Sequence, residues 1–98
     1  MESTQMGHLL FQPQEISLLR TMTRSCLWHE PHSLTEIADQ AAPAHARRLP
    51  VRRELKQGII SVLKKSIVAG LIARDAGFFF LTARGRVEMG RHFGMSDA

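Results

Sequence analysis

Cys26, His29 and His32 stand three residues apart, and thiolate and imidazole at such spacing are the donors that zinc prefers. His8 or His45 could complete a set of four. The same Cys and His could also form a nucleophile and base pair. Two features argue against both chemistries. Cys26 falls on an apolar helical stripe, where a free cysteine behaves as a small hydrophobe, and Pro31 interrupts the ligand run. The chain also lacks a Gly-rich elbow, a phosphate loop, a dinucleotide turn and a carboxylate pair at a telling spacing. The expectation is therefore no metal, no cofactor and no catalysis.

A second chemistry is more broadly written. Residues 44–86 hold ten Arg or Lys against Glu54 and Asp75, a net +8, whereas residues 1–43 carry a net −3. Positive charge gathered in one half of a chain suits a polyanion, because Lys and Arg that neutralise phosphates release counterions. A third feature is Phe78-Phe79-Phe80, which could stack on bases. In a strand Phe79 must face opposite to its neighbours, so one side enters the core and the other leaves an apolar patch suited to a dimer contact.

The elements that would position these residues can be read from caps and periods. At 98 residues the chain is long enough for one core and too short for two. Pro13 suits a first helical turn, and Ile16, Leu19, Met22, Cys26 and Leu27 form a stripe, so a helix is predicted from Pro13 to Trp28. Pro31 ends it. Ser33 and Glu36 make a capping box for a short second helix ending near Ala41 or Ala42, with Leu34, Ile37 and Ala38 or Ala41 inward. Residues 42–50 read as a linker. A third helix is predicted over residues 51–69, with Leu55, Ile59, Leu63 and Ile67 as its buried line, Ile60 flanking it and Gly58 as a close-packing point or a break. Gly70 is a C-cap. The period then changes to two, giving strands at 71–74 and 78–81 around Asp75-Ala76-Gly77. Thr82 caps a last helix ending near His92. Residues 1–12 are expected to be a flexible arm, 13–93 the domain and 94–98 a flexible tail.

This order, together with Ser-Leu-Thr-Glu-Ile-Ala (33–38), Ala-Gly-Leu-Ile-Ala-Arg (69–74) and Phe-Leu-Thr-Ala-Arg-Gly-Arg (80–86), resembles the winged helix-turn-helix transcriptional regulators over residues 14–92. The resemblance implies a mainly α fold: a three-helix core, a two-stranded β-hairpin wing and a short C-terminal helix. It also implies a third helix in the major groove of double-stranded DNA and the wing along the backbone or in the minor groove. Carried onto this chain, it nominates Arg52, Arg53, Lys56, Gln57, Ser61, Lys64 and Lys65 on the third helix, Arg74 and Arg84 beside the wing, and Arg86 in the last helix. Arg47 and Arg48 in the linker suit phosphates. The three-residue wing tip is short and contains an acid, which moves the expected centre of the interface to the third helix.

The function expected is that of a small transcriptional regulator, a repressor, binding DNA as a homodimer so that two copies of the helix read a two-fold site. The alternative is a winged-helix interaction module that engages a protein partner through the basic face or the Phe78-Phe80 patch, as an inhibitor or adaptor of a nucleic-acid machine. The longest apolar run, Phe78 to Leu81, cannot cross a bilayer, the first residues lack the layout of a secretory leader, and the single cysteine fits a reducing compartment. A cytoplasmic protein is expected.

Overall fold

The structure, a computed structural model, describes residues 11–41 and 49–95, and the side chains of the latter stretch from residue 53 onward. The described chain is mainly helical, with a small three-stranded antiparallel sheet. Helix α1 runs from Pro13 to Met22 and continues through a wider turn, Thr23–Leu27. Strand β1 is His32–Ser33, α2 is Leu34–Ala41, α3 is Leu49–Val68, β2 is Ile72–Asp75, β3 is Phe78–Leu81 and α4 is Ala83–Phe93.

The wide turn in α1 has a local cause. Thr23 is fully buried, so its hydroxyl must find an acceptor, and it donates to Leu19 O at 2.7 Å. Trp28 N then donates five residues back, to Thr23 O at 2.9 Å. The extra residue in this turn lets Cys26, Leu27 and Trp28 all face the core. Phe11, only 5% exposed, packs into the same core ahead of α1, two residues before the expected start of the domain.

Ser33 and Glu36 close the capping box as read from sequence: Ser33 N donates to Glu36 Oε1 at 2.9 Å and Glu36 N donates to Ser33 Oγ at 3.2 Å. The short strand before it was not expected. His32 pairs with Phe79 and Ser33 with Phe78, so the two-stranded hairpin expected from sequence is present and gains a third strand, in the order β1-β3-β2. Two residues carry no readable period, and only the distant Phe78-Phe79 backbone makes them a strand.

Helix α3 begins at Leu49, two residues earlier than expected, with Pro50 in its first turn, where a missing N–H costs nothing. It passes through Gly58 unbroken. A Cβ there would lie 3.3 Å from Leu18 Cδ2, so the glycine marks the close crossing of α1. The buried line is Ile59, Val62, Leu63 and Ser66, with Leu55 partly covered, and Ile67 is 39% exposed. This corrects the predicted stripe. Successive steps of four residues advance about 40° around a helix, so a strict i+4 run drifts off the core within three steps.

The C-terminus of α3 closes in a Schellman motif. Leu71 N donates to Ser66 O at 2.9 Å and Gly70 N to Ile67 O at 3.0 Å, with Gly70 at φ 79. Thr82 then fastens both ends of the hairpin. Its Oγ1 donates to Gly70 O at 2.6 Å and accepts from Gly85 N at 2.9 Å, while its own N donates to Leu71 O at 3.0 Å. The hairpin turn is Ala76-Gly77, with φ of 54 and 84, and β2 extends through Asp75, one residue further than expected. Gly94 at φ 69 ends α4, and Met95 packs on the core beyond it. No helix among the described residues is long and apolar enough to cross a membrane.

Candidate nucleic-acid interface

The side of α3 turned away from Ile59, Val62, Leu63 and Ser66 presents Arg53, Gln57 and Lys64, all exposed and spaced four and seven residues apart. That spacing keeps them on one face. Lys56 is half-buried at its edge. Glu54 is the one acid of α3, and its position lies to the side of the stripe. A twenty-residue helix, closed by its Schellman motif and crossing α1 at Gly58, thus holds two cations and an amide toward solvent.

The remaining candidates divide by what they touch. Lys65 is bound to Glu15 of α1, Nζ lying 2.7 Å from Oε1 and 2.9 Å from Oε2, and Ser61 Oγ donates to Glu15 Oε2 at 3.3 Å. Glu15 also accepts from Gln12 N at 2.8 Å. That backbone bond, and then Lys65, hold its carboxyl below the usual carboxylate range. Arg86 turns inward: Nη2 donates to Trp28 O at 2.7 Å and the guanidinium stacks 4.5 Å from the indole centroid. Lys65, Ser61 and Arg86 therefore join elements of the fold, a role that their residue types alone did not disclose.

Arg74 and Arg84 are exposed. Arg74 lies 5.8 Å over the Phe79 ring, on the side of the hairpin that faces α3, and with Lys64 it borders a groove between helix and hairpin. Arg84 leans over the end of α3, its Nη1 3.8 Å from where a Gly70 Cβ would stand, a favourable place for a cation beside a helix C-terminus. Arg47 and Arg48 lie outside the described residues, as does the side chain of Arg52. The structure thus brings Arg53, Gln57, Lys64 and Arg74 to one side of the molecule.

The apolar exposure of Phe78 is the one expected of the strand, on the sheet face opposite Arg74, whereas that of Val68 was not anticipated. Val68 is 81% exposed and Phe78 45%, while Phe79 and Leu81 pack toward the core, as alternation requires. Ile60 and Ile67 line the groove together with Leu34, Leu63 and Phe79.

At the other candidate site, Cys26 is 2% exposed and its Sγ donates to Met22 O at 3.4 Å. Burial pushes its pKa up to about 11, so it is a neutral thiol and a poor nucleophile or ligand. His32 is held by Glu36, Nδ1 to Oε1 at 3.3 Å, and lies 3.7 Å from Glu30 Oε2. Among the described residues no group of three or more His, Cys, Asp or Glu is arranged to hold a metal ion.

No family model matches the chain, and no curated protein or solved structure matches it at a significant level.

Proposed function

We propose that the chain is a winged helix-turn-helix protein that binds double-stranded DNA, with α3 in the major groove. The element order supports this reading: helix, short strand, helix, helix, hairpin, helix, with β1 paired to the second hairpin strand. The observation that carries it is the exposed line of Arg53, Gln57 and Lys64 on the face of α3 opposite the core. Arg and Gln have the donor geometry for guanine and adenine edges, and Lys suits a phosphate. The two-residue turn at Ala76-Gly77 keeps the wing close to the domain, where Arg74 reaches backbone phosphates rather than a groove floor. Regulation of transcription from a two-fold site, by a homodimer acting as a repressor in the cytoplasm, follows from the same reading.

Titration of a labelled pool of mixed-sequence duplexes at several salt concentrations tests it. Log affinity should fall linearly with log salt, and Arg53→Ala should weaken binding about tenfold. Absence of binding at low salt sinks the proposal.

A further inference from the structure

The groove between α3 and the hairpin encloses about 300 Å³ and is lined by Leu34, Ile60, Leu63, Ile67 and Phe79, with Lys64 and Arg74 at its borders. Its size is at the small end of natural ligand sites, roughly 300–1,000 Å³. A DNA backbone has no apolar group to fill such a floor. Ile60 and Ile67 are seven residues apart on α3, so the apolar wall extends along the helix for about 10 Å. An elongated apolar floor of this length accommodates one face of a short amphipathic helix, read as apolar side chains one turn apart.

The charge at the borders selects the partner further. Among the described residues no acid lines the groove, and its two charged lining residues are cations. Arg74 is held over the Phe79 ring of the floor at 5.8 Å, and Lys64 is exposed on α3 above it. We propose that this groove is a docking site for an acidic amphipathic helical segment of a protein partner, whose apolar pair enters between Ile60, Ile67 and Phe79 and whose carboxylates meet Lys64 and Arg74. The site stands on the groove alone and does not need the DNA reading. Because Lys64 belongs to both surfaces, a duplex and the segment compete for it, and the partner would release the protein from DNA.

The probe is a fluorescein-labelled helical peptide carrying Leu and Phe four residues apart among Asp and Glu. Two controls replace the apolar pair with Ser or the acids with Lys. Anisotropy titration should show saturable binding of the acidic apolar peptide and at least tenfold weaker binding of both controls. Ile67→Asp and Lys64→Glu should each weaken binding about tenfold, whereas Val87→Asp, on the exposed face of α4, should leave it unchanged. Circular dichroism confirms that each variant is folded, and Lys64→Glu keeps the test decisive if Ile67→Asp does not fold. Equal binding of the Ser control, an unaffected Lys64→Glu variant, or a self-associated protein that ignores the peptide would overturn the proposal. Failure of duplex binding leaves this titration unaffected, so the two readings fail separately.

Discussion

Lys65 and Lys64 are chain neighbours with opposite fates: Lys65 Nζ sits 2.7 Å from Glu15 Oε1 across the α1–α3 contact, while Lys64 points to solvent beside the groove. One cation holds the fold and the other stands exposed at the surface. Substitution should separate the two roles. Lys64→Ala should lower the slope of log affinity against log salt by about one and leave the melting temperature nearly unchanged. Lys65→Ala should cost about 1 kcal/mol, seen as a fall of ~4–8 °C in Tm, with the slope almost intact. Salt-dependent duplex titrations and thermal melts on the same preparations check both.

Glu15 also sets an acid limit. Its carboxyl is held below 4.5 by Gln12 N and Lys65, so the folded state favours the charged form. The stability it contributes is present above that pH and is lost as pH falls through the lowered pKa. Urea midpoints measured from pH 7 down to pH 3 should therefore decline less in Glu15→Gln than in the parent, and parallel declines would refute the assignment. Cys26 acts at the other end. Its pKa is raised from 9.0 to about 11, so the folded state favours the thiol, and stability should fall as pH rises between those values, and fall less in Cys26→Ala.

The hairpin turn stores strain at one position. Ala76 and Gly77 both have positive φ, 54 and 84, which is the pattern of a type I′ hairpin turn. Alanine pays for that conformation and asparagine pays less. Ala76→Asn should raise stability by about 0.5–1 kcal/mol, because Asn-Gly is the favoured pair for this turn. Gly77→Ala should lower it by about 1 kcal/mol; no atom lies within 4 Å of the added methyl group, so backbone strain is the whole cost. Denaturant midpoints with unchanged m-values would show that only the turn responded.

What the sequence discloses is governed by range. The Ser33–Glu36 box, the Gly70 cap, the Thr82 cap and the change of period after Gly70 are all decided within a few residues, and they are legible. Strand β1 is not, because two residues become a strand only through Phe78 and Phe79. The basic half of the chain is plain in composition. Which of its cations remain for a ligand depends on Glu15, fifty residues before Lys65, and on Trp28, fifty-eight before Arg86. The groove stayed hidden because Ile67 reads as core on a strict i+4 count, and only the true helical angle turns it outward.

Arg86 and Trp28 give the sharpest test of that division. The guanidinium stacks 4.5 Å from the indole centroid and donates to the Trp28 carbonyl at 2.7 Å, so one side chain ties α4 to the end of α1. If Arg86 serves the fold, Arg86→Ala should destabilise by about 2 kcal/mol, from the lost stack and the orphaned carbonyl. Arg86→Lys should lie between, because an ammonium keeps the charge but cannot reproduce the planar stack with its hydrogen bond. Trp28 is the only tryptophan, so its emission reports the site directly. Both variants should change the native emission maximum or intensity, and at a temperature where they remain folded their duplex affinity should stay within about twofold of the parent. A large loss of affinity with unchanged emission and stability would instead move Arg86 to the ligand surface.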